Sequence, residues 1–176
     1  MKKGVILYKS KYGATEKYAR WLSEETGFDV METKKATAKD ISEYDVIVLG
    51  GGVYASSIAG LGFLKKNISA LKKSKIAVFA VGASPYDEAA LEQTRAFNFK
   101  NELSGIPLFY CRGMWDKTSM KAMDKMLCSM LRKAVAKQSA ESIEPWQKAL
   151  LSAPDDKPCD WTDKEYLRPL IEYING

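Results

Sequence analysis

Ile6-Leu7-Tyr8-Lys9-Ser10-Lys11-Tyr12-Gly13-Ala14-Thr15 leads from an apolar run through a polar turn into a helical pattern. Gly4 to Tyr8 is apolar enough for a strand buried on both faces. From Ala14 to Glu25, the residues Ala14, Tyr18, Trp21 and Leu22 recur at helical spacing, which predicts a helix with one buried face. Gly27 stands where that helix would be capped. The turn from Tyr8 to Thr15 therefore joins the carboxyl end of a strand to the amino end of a helix. Amides at a helix start lack intrahelical partners, and the helix dipole favours an anion beside them. Ser10 and Thr15 add hydroxyls, and Gly13 allows a tight approach of the backbone. These residues suit a phosphate cradle, and they also suit an ordinary helix cap on a glycine turn.

The same alternation continues outward. Phe28 to Met31 reads as a second strand. Asp45-Val46-Ile47-Val48-Leu49 reads as a third, ended by Gly50-Gly51-Gly52. Lys75 to Val81 is a fourth strand, ended at Gly82, and Pro107 to Cys111 is a fifth. Helices are expected through Leu61, Leu64, Ile68 and Leu71, and from Glu88 to Glu102. Strands apolar on both faces imply a parallel sheet covered by helices on both sides. The expected fold class is α/β, a doubly wound five-stranded parallel sheet in three α/β/α layers, forming one domain over residues 1–176. Ligands of such sheets sit beyond the carboxyl ends of the strands, where the winding reverses. That rule singles out Lys9 to Thr15, Gly50 to Gly60, Gly82 to Glu88 and Arg112 to Lys117.

Composition narrows the chemistry. The chain has 176 residues, 46% apolar and 28% charged, which excludes disorder. It contains no histidine, so Ser-His-Asp and Cys-His hydrolases and His-ligated metal sites are excluded. A catalyst of this composition would take its reactive group from a bound cofactor. Cys111, Cys128 and Cys159 are widely separated and odd in number, which predicts reduced, buried thiols. The basic-then-apolar start, Met1 to Tyr8, is too short for a signal-peptide core, and nothing approaches a membrane span. A cytoplasmic location is expected.

The net charge of +5 is local. Between Lys117 and Lys137 there are six basic residues and one acid, Asp124, so the remainder of the chain is balanced. So local an excess argues against a nucleic-acid surface. In the same window Met120, Met123, Leu127, Met130, Leu131 and Ala134 recur at three- and four-residue steps. This predicts an amphipathic helix over roughly Thr118 to Lys137. Its Met-rich stripe fits a core face, and it fits a deformable binding surface for anionic lipid or an acidic partner. Pro145, Pro154 and Pro158 then mark an irregular stretch, so that an additional helix and irregular segment occupy about 117–160. A last helix is expected near Thr162, with Glu165 completing a capping box and Pro169 kinking it or delaying its start.

The first turn contains neither the triphosphate-binding Gly-x-x-x-x-Gly-Lys pattern nor Gly-x-Gly-x-x-Gly, and it lacks the acidic cluster of a receiver domain. Instead, Ile6 through Thr15, followed by Ala19 and Leu22, resembles the FMN-binding signature of flavodoxins. The resemblance extends through the order of elements to the fifth strand. It implies a flavodoxin-like fold with FMN as cofactor, its phosphate held by Ser10, Lys11, Tyr12, Gly13, Ala14 and Thr15. It also implies two loops around the flavin ring. One includes Gly51, Gly52, Val53, Tyr54 and Ala55, with Tyr54 stacking on the ring. The other includes Gly82, Ala83, Ser84 and Tyr86, with backbone amides toward the ring's pyrimidine edge. The other reading of the first is a glycine-rich strand exit with a surface tyrosine.

The function implied is electron transfer by flavin redox cycling. Arg112-Gly113-Met114-Trp115 and the basic helix after it are similar to one flavodoxin-like branch, the protoporphyrinogen oxidases that use FMN and quinones. That similarity implies an alternative oxidoreductase role, with a redox partner protein or quinone as partner. It also implies peripheral contact of the 117–137 helix with the inner membrane face. A flavin-free interaction module displaying the basic helix is the remaining alternative.

Overall fold

The computed structural model describes residues 2–176. In chain order the first half comprises β1 (Gly4–Lys9), α1 (Ala14–Thr26), β2 (Asp29–Glu32), α2 (Ala38–Ile41), β3 (Val46–Tyr54), β4 (Ser57–Ile58) and α3 (Leu61–Asn67). There follow β5 (Lys75–Gly82), α4 (Glu88–Asn98), β6 (Leu108–Arg112), β7 (Met114–Trp115), α5 (Ala122–Val135), α6 (Pro145–Ser152), β8 (Cys159–Asp160) and α7 (Arg168–Asn175). Five strands pair in parallel in the order β2-β1-β3-β5-β6, and β4 adds an antiparallel hairpin arm to β3. The doubly wound flavodoxin-like α/β fold expected from the sequence is present.

Alternation along the strands divides the core into two layers. Ile6 and Tyr8 face one side with Val48, Phe79 and Cys111, packed under Tyr18 and Leu22 of α1 and Leu170 and Ile174 of α7. Val5 and Leu7 face the other with Ile47, Leu49 and Val78, packed under Leu61 and Leu64 of α3 and under Phe99, Leu103 and Ile106 after α4. The chain winds one way from β1 to β2 and the other way from β3 to β6, so the reversal lies between β1 and β3.

Several boundaries differ from expectation for identifiable reasons. The third strand does not stop at Gly50; β3 runs through the three glycines to Tyr54. Those glycines answer to close packing. A Cβ on Gly50 would lie 2.1 Å from the Phe79 ring, and one on Gly51 would lie 2.0 Å from the carbonyl oxygen of Ala59. The helix after β5 ends at Asn98 rather than Glu102. The stretch holding Pro145 and Pro154 is not irregular throughout. Pro145 begins α6, where Glu144 and Gln147 form a reciprocal capping box, and β8 pairs with β7. The box expected at Thr162 and Glu165 is absent. Asp163 accepts the Glu165 N–H instead, while Thr162 donates to Asp160. Pro169 falls in the first turn of α7, after a short 3-10 turn over Lys164–Leu167, and so sets the start of the helix rather than kinking it.

The largest difference concerns α5. It is shorter than expected, and its Met-rich stripe is not a core face, because Met123, Met126, Leu127 and Met130 are all exposed. The layer beside α1 is completed by α7. Of the thiols only Cys111 is buried, and that burial raises its pKa; Cys128 and Cys159 are half-buried and all three are free.

Candidate functional site

Three loops converge at the carboxyl ends of β1, β3 and β5, beside the reversal of winding. The first, from Ser10 to Gly13, leads into α1. Gly13 is the N-cap, with φ 94°, and no side chain caps the helix. By contrast α2 and α4 are capped by Thr37 and Asp87. Ser10 Oγ accepts the Gly13 N–H at 3.1 Å, which holds the turn closed. A Cβ on Gly13 would meet nothing within 4 Å, so that side of the turn is open. Ser10 and Tyr12 are half-buried, Lys11 is exposed, and Thr15 is buried in the first helical turn.

Asp124 of α5 reaches over this loop. Lys11 Nζ lies 2.5 Å from Asp124 Oδ2, and the Tyr12 hydroxyl donates to the same carboxylate. The Lys121 N–H in turn donates to the Tyr12 oxygen at 3.4 Å. The hydrogen bond from Lys11 first, and that from Tyr12 second, hold the Asp124 carboxyl below its ordinary range, while Asp124 raises the Lys11 ammonium. An anion entering the turn would share Lys11 with Asp124.

The second loop is the β3–β4 hairpin. Tyr54 is exposed and lies against Gly52, with Lys11 Nζ 5.8 Å from its ring centroid. The two turn residues, Ala55 and Ser56, have φ of 46° and 66°. Hairpin turns of this hand favour asparagine and glycine, so these side chains sit in a strained backbone. The positive φ values thus fall after the glycines, not on them.

The third loop runs from Gly82 to Asp87. Three consecutive carbonyls are bonded back to the protein: Gly82 to the Gly113 N–H, Ala83 to Arg112 Nε, and Ser84 to the Tyr110 hydroxyl. In trans peptides the N–H opposes the C=O. The Ala83 and Ser84 amides therefore point away from those partners. Exposed Tyr86 lies 6.3 Å from the Tyr110 ring, and the Arg112 guanidinium lies 4.2 Å over Trp161.

A family model for a flavodoxin domain, Flavodoxin_5, matches residues 5–142, from β1 past the end of α5. The chain belongs to this flavodoxin-domain family. Among solved structures, it is 19% identical to the two-electron reduced Megasphaera elsdenii flavodoxin, over 61% of this chain and 82% of that one, with a TM-score of 0.45. A Lactobacillus acidophilus flavoprotein in complex with FMN gives 19% identity over 64% and 93%, with a TM-score of 0.46. Oxidised flavodoxin 1 from Bacillus cereus gives 19% over 78% and 99%, with a TM-score of 0.39. No curated protein matches the sequence.

The loops of this flavodoxin domain are braced by residues that sequence reasoning did not single out. Asn98, buried at the end of α4, accepts the Ile58 N–H at 3.1 Å. It donates to the carbonyls of Ser56 at 2.6 Å and Thr94 at 2.8 Å. One amide therefore fixes the β3–β4 hairpin to the helix that follows the third loop. Asn98→Ala would leave the buried Ile58 N–H unpaired, and is expected to cost about 1–3 kcal/mol in urea unfolding. A loss near zero would show that the hairpin stands without this clamp. Asp124 carried one signal in the sequence, as the single acid of the basic window; Asn98, Tyr110 and Trp161 carried none.

Proposed function

We propose that the protein holds FMN across the three loops and moves electrons through it between a donor and a redox partner protein or quinone. The observation that carries this reading is the uncapped, open amino end of α1 beside two loops that expose Tyr54 and Tyr86, all at the reversal of winding. The residues present fit such a group. Ser10 through Thr15 would hold the phosphate at the helix start, where amides and dipole favour an anion. Gly51, Gly52, Val53, Tyr54 and Ala55 would form one wall of the ring site. Gly82, Ala83, Ser84 and Tyr86 would form the other, with the Ala83 and Ser84 amides available to ring acceptors. When bound, FMN supplies the electron chemistry that a histidine-free chain lacks.

Within this reading the protein's own task is to position and shield. Arg112, Tyr110 and the Gly113 N–H keep the third loop's carbonyls turned inward, and Asn98 keeps the hairpin in register with it. Lys11, paired with Asp124, would balance phosphate charge.

The test is a titration of apoprotein with FMN. Retained flavin should give a band at about 450 nm that survives desalting, with a dissociation constant at or below micromolar. Reduction by a flavodoxin reductase and reoxidation by a quinone would support the carrier role. Turnover of protoporphyrinogen with quinone would place the protein in the oxidase branch. A protein that retains no FMN at micromolar concentrations ends both flavin readings and leaves an interaction module.

A further inference from the structure

The two sides of α5 are occupied very differently. Its polar side is fastened to the protein. Arg132 donates to the carbonyls of Leu150 and Ala153 at 2.6–3.1 Å and pairs with Asp155 at 2.6 Å. Lys117 joins the same carboxylate at 3.0 Å, and Asp124 holds Lys11 and Tyr12. The opposite side presents Met123, Met126, Leu127, Met130 and Leu131, which are 69%, 55%, 54%, 59% and 44% exposed. At helical spacing these five cover an arc of about 140°, with exposed Ala134 near its centre. Lys133 and Lys137 form no ion pair among the described residues, and Lys133 flanks the apolar arc.

We propose that this face of α5 docks the protein on an anionic lipid surface, with the five apolar side chains in the headgroup boundary and Lys133 and Lys137 on anionic headgroups. Charge complementarity selects the occupant. The helix's single acid is taken by Lys11, so the outward face carries cations alone. A second copy would set the same lysines against each other. The apolar stripe is one helix wide and about 12–17 Å long, far short of the roughly 800 Å² per partner of a stable protein pair. A basic amphipathic helix with this face lies in the plane of the membrane interface, and flexible methionines conform to a fluid boundary. No helix among the described residues is long and apolar enough to cross a membrane, so the contact is peripheral. It does not depend on the cofactor.

The test is co-sedimentation of the full chain with vesicles of phosphatidylcholine alone or mixed with phosphatidylglycerol, with and without FMN. Binding is expected to the anionic vesicles only, and to weaken with salt. Met126→Gln with Met130→Gln, and separately Lys133→Gln with Lys137→Gln, should each weaken it by at least about tenfold. Both pairs are exposed, so circular dichroism and melting temperature should stay as in the parent protein. Arg132 is left intact because it fastens the helix. The proposal is overturned by absence of binding, by equal binding to neutral and anionic vesicles, or by variants that bind like the parent. A lipid-free dimer in sedimentation that the methionine variant dissociates would overturn it in favour of self-association.

Discussion

Gly51→Ala is expected to cost about 3 kcal/mol of folding stability, at the upper end of what overpacking does. The added methyl would lie 2.0 Å from the Ala59 carbonyl oxygen and 2.8 Å from Ile58 Cγ2. Neither neighbour is the loose end of a flexible side chain. Ala59 donates its N–H to Gly52 at 2.9 Å, and Ile58 is paired to Val53 in the hairpin. Within the sheet Gly51 is in register with Lys9 of β1 on one side and Ala80 of β5 on the other. The strand cannot shift without loosening the centre of the sheet, so the hairpin must move, and the wall containing Tyr54 would move with it. Urea unfolding with a two-state fit would measure the loss. For a chain of this size the melting temperature should fall by about 6–12 °C. A variant within about 1 kcal/mol of the parent would show that β4 yields at little cost.

A second substitution acts on affinity. Gly13 holds φ 94°, a conformation that L side chains avoid at a cost of about 1–2 kcal/mol. Gly13→Ala has room for its methyl, since nothing lies within 4 Å; the penalty is conformational. The free loop can relax by giving up the hydrogen bond to Ser10, whereas a phosphate bound at the helix start needs the closed turn. The dissociation constant for FMN, read by quenching of flavin fluorescence, should rise about 5- to 30-fold, in proportion to that strain. Far-UV circular dichroism should not change. Parent-like affinity would place the phosphate elsewhere and remove the β1–α1 loop from the site.

The fold was legible because its strands are buried on both faces and its first helix is cleanly periodic. Val5-Ile6-Leu7 and Val46-Ile47-Val48-Leu49 have no other economical place than the centre of a parallel sheet. The glycine triplet was misjudged for a tertiary reason. Whether Gly50 ends a strand or admits the Phe79 ring depends on a residue in another strand. α5 was ambiguous for a related reason. Periodicity reports that a helix has an apolar face, but not whether anything covers it. α7, marked by Leu170 and Ile174, is the helix that fills the layer beside α1. The first candidate loop could be proposed from the sequence because its residues are contiguous. The braces on the other two loops were not, since Asn98 works on Ser56 and Ile58, and Tyr110 works on Ser84, across long sequence separations.

The placement of α7 also sets an order of assembly. The sheet is complete in sequence once β6 has been made, yet Phe79, Val48 and Cys111 await Leu170 and Ile174, with α5 and α6 threaded between. During synthesis the growing chain therefore carries an uncovered apolar sheet face next to a finished helix with an apolar stripe of its own. That helix is a competitor for the vacant layer, one that the fast local formation of helices brings forward early. The contacts of Arg132 with Leu150 and Ala153, and of Asp124 with Lys11, turn the stripe outward and keep the layer free for the last helix. A chain stalled before α7 is therefore expected to leave that apolar layer uncovered.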